Sequence, residues 1–425
     1  MEKIISMILL AMVVFVLNDG VYGTANDRET LSEIDRRLKL LNKPAVKSIK
    51  SEDGDIIDCV DIYKQPAFDH PALRNHTLQL TPSIDLPTEK VDKINESGWP
   101  VVIQTWQKNG TCPKGTVPIR SIRKQDLLRA ASLEHFGRKT PEISYTANRK
   151  EATNNSKFIN INNTKLDTRD LSMVNRSAAV LVTVGYNYLG AQGDINVWNP
   201  NVDLEDDYTT AQIWLKGGPG DRLESVESGW MVNPKLYGDK RTRFFTYWTA
   251  DGYDTTGCFD LTCTGFVQTD SEVALGASID PISSKGGPQY QITIGITLDP
   301  NLGNWWLKYN NKVVGYWPAN LFSLLKHNAI LVEWGGQVFS PSVKKTPHTK
   351  TAMGSGEMAN ALLGNACFIK NVRIIDNSLQ LKYPEWVATW GDEYYCYNVF
   401  NDVKDYRDGP IFFFGGQPGS NLYCL

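Results

Sequence analysis

The 425-residue chain carries 44 Lys and Arg against 47 Asp and Glu, a formal net charge of −3, with 41% hydrophobic and 21% charged residues. This describes a globular chain of two or three domains rather than a disordered one, and the near-neutral charge leaves no electrostatic footprint for a nucleic-acid partner. The 12 Trp, 18 Tyr and 15 Phe, set among 34 Gly, favour β-strands and tight turns over helices.

Residues 1–23 read as a secretory signal peptide. An apolar run from Ile4 to Leu17, too short to span a bilayer, leads to small residues and a predicted cut after Gly23. The mature protein is therefore expected to be secreted and extracellular, with no membrane association after signal removal. Six Asn-x-Ser/Thr sequons, at Asn75, Asn95, Asn109, Asn154, Asn162 and Asn175, agree with that route. None lies beyond Asn175, and charge divides at the same place. Residues 24–176 hold 25 Lys and Arg against 20 Asp and Glu, a net of +5, whereas residues 177–425 hold 18 against 25, a net of −7. Of the tryptophans, only Trp99 and Trp106 precede residue 177.

The front part, residues 24–147, opens with a predicted helix. Thr30-Leu31-Ser32-Glu33 fits a capping box, Leu31, Ile34, Leu38 and Leu41 share a face, and Pro44 ends it. Strand-like runs follow at 55–63 and 101–106, so a small α+β pro-segment is expected. The polar stretch 148–176, with Asn pairs at 154–155 and 162–163, reads as an exposed linker open to activation cleavage.

Residues 177–425 read as strand after strand. Tyr290, Ile292, Ile294, Ile296 and Leu298 alternate through 289–298, and similar runs occur at 178–186, 242–249, 304–309, 330–335 and 367–376. Turn pairs such as Asp251-Gly252 and Asn310-Asn311 separate strands, and no long helical period intervenes. The fold class is therefore all-β, an antiparallel β-sandwich preceded by the α+β pro-segment. Of seven cysteines, Cys258–Cys263, Cys396–Cys424 and Cys59–Cys112 are the expected disulfides, leaving Cys367 as a buried thiol.

Familiar catalytic patterns are missing. No HExxH or paired CxxC supports a metal, no GxSxG elbow accompanies His327 or His348, and no phosphate-cradling glycine loop precedes a helix. Neither metal nor cofactor is expected. What remains is carboxylate chemistry. Glu227 in Val226-Glu-Ser-Gly-Trp230 and Glu333 in Val332-Glu-Trp-Gly-Gly336 each share a strand face with a glycine two residues on, Gly229 and Gly335. Two such glutamates facing each other can divide the work, one protonated as acid and one ionised to activate water.

At this point the chain resembles a known family. Ile57-Asp-Cys-Val-Asp-Ile-Tyr-Lys-Gln-Pro-Ala-Phe-Asp-His-Pro71 with Asn75-His-Thr77 is similar to the activation peptide of plant neprosin-like proteins. Residues 177–425 resemble the neprosin domain through Ile195-Asn-Val-Trp-Asn-Pro200, Glu227-Ser-Gly-Trp230, Phe245-Thr-Tyr-Trp248, Asp251-Gly-Tyr253, Gly315-Tyr-Trp-Pro318 and Glu333-Trp-Gly-Gly336. The resemblance implies a secreted glutamic endopeptidase made as a zymogen, with a β-sandwich fold and cleavage after proline at acidic pH. Its first catalytic glutamate falls on Glu227, with Glu224 the nearby competitor. Its second falls on Glu333 or on the position of Gln337, which share a strand face. If the latter, one carboxylate is missing. Tyr247, Trp248 and Trp334 are candidate subsite walls, with Gly229, Gly335 and Gln337 beside them.

The expected partners are a proline-containing peptide or protein and the chain's own pro-segment as intramolecular inhibitor, and a monomer is the expected state. The +5 pro-segment is expected to bind the −7 domain near neutrality and to loosen as acid protonates carboxylates. A β-sandwich glycosidase and a non-catalytic cell-wall or glycan-binding protein are the competing readings, since both use the same residue types.

Overall fold

The computed structural model describes residues 25–87, 102–139, 158–161, 164–167, 174–402, 410–419 and 423–424. The predicted signal peptide, Asn95, Asn154 and Asn162 lie outside the described residues.

In the N-terminal segment, helix α1 (Ala25–Leu41) leads into β1 (Ala45–Lys50) and β2 (Ile56–Asp61), then β3 (Ile103–Gln104), β4 (Thr116–Arg120) and α2 (Lys124–Arg129). Strands β1, β2 and β4 form one antiparallel sheet, stapled by the Cys59–Cys112 disulfide. Two local expectations are corrected. Helix α1 begins at Ala25 rather than at a cap near Thr30, and Leu31 is exposed while Ile34 and Leu41 are buried. No helix breaker lies between Ala25 and Thr30, so the capping-box pattern falls inside the helix. The strand expected over 101–106 shrinks to β3, because the chain turns at Thr105 into a 3-10 helix, where Gln104 and Gln107 cap one another.

Within the predicted linker, β5 (Phe158–Ile161) pairs with β6 (Thr164–Asp167) as a hairpin. The large domain then opens with β7 (Arg176–Tyr188) and β8 (Gly190–Asn196). After them come β9 (Tyr208–Gly217), β10 (Glu224–Val232), the short helix α3 (Pro234–Tyr237), β11 (Arg243–Thr249), β12 (Val267–Gln268) and β13 (Ile279–Asp280). Strands β14 (Gln291–Leu298), β15 (Trp305–Tyr309), β16 (Lys312–Trp317), β17 (Ala329–Phe339) and β18 (Cys367–Ile375) form the middle of the domain. The last four are β19 (Leu381–Lys382), β20 (Ala388–Gly391), β21 (Asn398–Asp402) and β22 (Ile411–Gly415).

Two antiparallel sheets result. A six-stranded sheet runs β11-β10-β9-β17-β7-β20, and a nine-stranded sheet runs β12-β16-β15-β14-β8-β18-β22-β21 with β19 beside β18. They pack face to face over one apolar core. Ile213, Leu215, Val226, Trp230, Val332 and Trp334 face inward from the first sheet, and Ile195, Ile292, Ile294, Ile296, Trp305 and Ile369 from the second. The alternation read at 289–298 is this inward face, with Ile292, Ile294 and Ile296 fully buried. Disulfides join Cys258 to Cys263 and Cys396 to Cys424, and Cys367 is a buried free thiol. His348 lies with Cys396 and Cys424 in a metal-sized group, but that disulfide consumes both thiolates.

The N-terminal segment packs on the outer face of the six-stranded sheet. Ile34, Leu41, Ile122, Leu127 and Phe136 share a core with Tyr208, Met231, Tyr237, Phe245, Tyr247 and Phe259. Two glutamines zip the backbones together. Gln65 Nε2 donates to Gln268 O (2.9 Å) while Gln268 N donates to Gln65 Oε1 (2.7 Å). Gln104 makes the same exchange with Ala274, 2.7 Å each way. A buried ionic cluster completes the joint. Arg243 of β11 pairs with Asp55 of the segment and with Asp239, Arg120 pairs with Asp55 and Asp126, and both guanidiniums lie over the Tyr237 ring. The net-charge picture is thereby refined: the segment contributes an acid here, and apolar burial carries much of the contact.

Breaking a buried ion pair costs roughly 3–5 kcal/mol, and Asp239, which still holds Arg243, places Asp55→Ala at the lower end. The Asp55→Ala chain should show a lower unfolding midpoint and faster proteolysis of the N-terminal segment than the wild type. Unchanged proteolysis would mean that this pair does not fasten the segment.

Candidate active site

Register builds the site. Strand β9 lies between β10 and β17, and Glu227, Trp214 and Glu333 are directly opposite one another across the three strands. Residues directly opposite in an antiparallel pair point to the same face, so both glutamates stand on the outer face, their backbones roughly 10 Å apart at ~4.8 Å per strand. The neighbouring rows are Gly229, Gln212 and Gly335 on one side and Ser225, Lys216 and Leu331 on the other. The result is a three-by-three patch with the acids flanking Trp214, an amide in one adjacent row and an ammonium in the other. Tyr247 of β11 extends the Glu227 row.

Glycine is required at Gly229 and Gly335 by the sheet itself. A Cβ at Gly229 would meet Ala211 O at 2.0 Å, and one at Gly335, whose φ is +149°, would meet Ala179 O at 2.3 Å. The flat floor beside each acid follows from that.

Glu227 is fully buried. Ser225 Oγ (2.8 Å) and Tyr253 Oη (2.6 Å) donate to its Oε1, and Gln212 Nε2 (2.6 Å) donates to its Oε2. The Lys139 ammonium, from the N-terminal segment, pairs with the same Oε2. Burial alone pushes the Glu227 carboxyl up, but Lys139, aided by Tyr253 and the further Lys216, outweighs it and holds the group below the ordinary carboxylate value. Lys139 enters through aromatic walls. Its Nζ lies 4.6 Å from the centre of the Tyr247 ring, 5.1 Å from Tyr253 and 5.7 Å from Phe259, and its backbone N donates to Tyr247 Oη at 3.1 Å. Burial raises the Tyr247 phenol, which stays neutral as it accepts that bond.

Glu333 draws its cation from its own domain. Lys216 Nζ lies 2.8 Å from Glu333 Oε2, with both side chains almost wholly buried. Glu224, the competitor read from the sequence, accepts backbone N–H bonds from Ser323, Leu324 and Leu325 at 2.8, 2.9 and 2.6 Å and so anchors a loop.

Several sequence-predicted positions come together here: Glu227, Glu333, Gly229, Gly335 and Tyr247. Others do not. Gln337 lies four residues beyond Glu333, about 13 Å along β17, and registers with Thr210 and Ala178 rather than with Glu227. Trp248 and Trp334 are corrected: their registers, opposite Val226 and Ile213, turn them to the inter-sheet core, where Trp334 Nε1 donates to Gln192 O at 3.1 Å. An odd offset along a strand reverses the face, so aromatic residues next to the glutamates in sequence lie behind the sheet. Sequence reasoning missed Gln212, Lys216, Ser225, Tyr253 and Lys139. Ser225 was accessible by its two-residue offset from Glu227, and Tyr253 by the Asp-Gly-Tyr segment. The other three depend on strand pairing or on how the segment docks.

Solved structures offer distant likenesses. Scytalido-glutamic peptidase, in complex with a peptide-based transition-state analogue, is similar at 10% identity over 57% of this chain and 98% of its own, with a TM-score of 0.32. SCP-B, a member of the eqolisin family of peptidases bound to the tripeptide Ala-Ile-His, is similar at 10% identity over 57% and 98%, with a TM-score of 0.31. CG-16, a homodimeric agglutinin from chicken liver, is similar over 38% of this chain and 91% of its own, at 10% identity and a TM-score of 0.21. The sequence itself is more specific. Residues 48–162 match the neprosin activation peptide and residues 205–417 match the neprosin domain. With both parts matched in order, an activation peptide packed over the glutamate face of its sandwich, the chain belongs to the neprosin family.

Proposed function

We propose that the chain is a secreted glutamic endopeptidase, made as a zymogen, that hydrolyses peptide bonds with Glu227 and Glu333 at acidic pH. The observation that carries this reading is the shared row of Glu227, Trp214 and Glu333 under a segment whose Lys139 fills the site. The aromatic faces of Tyr247 and Tyr253 beside Glu227 are surfaces on which a proline ring packs, which supports cleavage after proline. Three disulfides and the exposed Asn75 and Asn109 sequons support secretion.

The roles of the two acids follow from their partners. Lys216 stays beside Glu333 when the activation peptide leaves, whereas Glu227 loses Lys139. Losing Lys139 removes the largest influence that holds the Glu227 carboxyl down, so it moves up from its docked value and Glu227 becomes the protonated partner. Glu333 then takes a proton from water as the water oxygen attacks the scissile carbonyl, and Glu227 gives its proton to the carbonyl oxygen. When the tetrahedral intermediate collapses, Glu333 passes its proton to the leaving nitrogen, the C–N bond breaks, and a hydroxyl returns a proton to Glu227. Water is consumed and both acids are restored.

Latency has a matching pH sign. Glu227 is depressed while docked, so docking is favoured at neutral pH and weakens as pH falls towards its docked value. Segment release, followed by limited proteolysis, should therefore rise from pH 7 to pH 4, and Lys139→Met should make that rise shallower. A pH-independent release would contradict the mechanism.

Digestion of a denatured protein at acidic pH, followed by mass spectrometry, tests the chemistry. Glu227→Gln and Glu333→Gln should each lower cleavage by at least about 100-fold, the scale of a lost general acid or base. Full activity in either variant would remove that residue from the reaction, and polysaccharide release without peptide cleavage would favour a glycosidase.

A further inference from the structure

The enclosure around Lys139 is built for more than the residue that occupies it. Three ring faces, Tyr247, Tyr253 and Phe259, surround one ammonium at 4.6, 5.1 and 5.7 Å, and an ionised carboxylate closes the end. All four residues belong to the large domain and are at most 2% exposed. Ring quadrupoles attract a desolvated cation, and the carboxylate adds a charge-assisted hydrogen bond. Two further cations border the site without filling it: Arg176 stacks on Tyr253 at 5.5 Å, and Lys216 is held by Glu333. The rings brace one another, Tyr247 against Phe259 at 4.7 Å and against Tyr253 at 5.6 Å, and Phe259 rests on Tyr208 and Phe245 of the same domain at 5.9 Å each, so the walls do not depend on the segment for support.

We infer that this enclosure is a binding site for alkylammonium groups, occupied in the uncleaved chain by Lys139 and, once the activation peptide departs, by lysine side chains of other peptides. A lysine seated there pairs with Glu227 and excludes other chains from the site, so lysine-bearing peptides are competitive ligands. The released activation peptide is the first of them. The inference concerns binding and holds whether or not Glu227 takes part in hydrolysis. Its failure would leave the proposed function standing, and failure of the glutamate variants to lose activity would leave it standing in turn.

The full-length Lys139→Ala chain tests it, since that change deletes three methylenes and an ammonium, the size of propylammonium. Small ligands enter buried cavities of this kind. Propylammonium at tenfold above its dissociation constant should raise the unfolding midpoint of Lys139→Ala by about 2–4 °C. 1-Propanol should not, and the wild type and Lys139→Met, whose cages are filled, should not respond. Adding Glu227→Gln to Lys139→Ala should abolish the shift. If Lys139→Ala does not fold alone, propylammonium and not propanol should restore its refolding yield. No response in either format, or an equal response in the wild type, would overturn the inference.

Discussion

An ionised carboxylate sealed from water needs a cation, and Glu227 receives its cation from outside its own domain. That constraint organises the uncleaved protein. Without Lys139, burial would drive Glu227 towards its neutral form. With it, the site is charged, closed and filled, and the segment cannot leave without undoing the pair. The rest of the docking surface, from the glutamine zippers to the Asp55–Arg243 cluster and the shared apolar core, places Lys139 with enough rigidity for one ammonium to matter.

The second constraint is register. A slip of one residue in β10 or β17 would send its glutamate into the apolar core and bring Trp230 or Trp334 outward, which the inter-sheet packing forbids. The tryptophans behind the sheet thus set the positions of the acids in front of it. Glycines at 229 and 335 let neighbouring carbonyls approach and keep the row beside each acid low. Stability and chemistry are read from opposite faces of the same three strands.

How much of this was legible in the sequence follows from which forces are local. The alternation of Ile292, Ile294 and Ile296 encodes a buried face directly, and most large-domain strands were readable for that reason. Spacing by twos also linked Glu227 to Gly229 and Glu333 to Gly335. It could not choose between Glu333 and Gln337, which share a face, because the choice depends on pairing with β9, some 120 residues away along the chain. Trp248 and Trp334 lie in the core because strand parity, not aromatic type, sets the face on which a residue stands. Lys139 carries no local mark at all: it is one of 25 basic residues between positions 24 and 176, and only docking distinguishes it. The charge division near residue 176 pointed to attraction between the parts, but the structure shows apolar burial and ion pairs of both polarities doing that work together.

The dependence of Glu227 on Lys139 is tested most directly by a carboxyl carbon-13 NMR titration of Glu227, assigned with Glu227→Gln, in the uncleaved chain and after removal of the activation peptide. Glu227 should titrate below the ordinary carboxylate range while Lys139 is docked and move upward once it is gone. An unchanged titration midpoint, or a downward move on release, would contradict it.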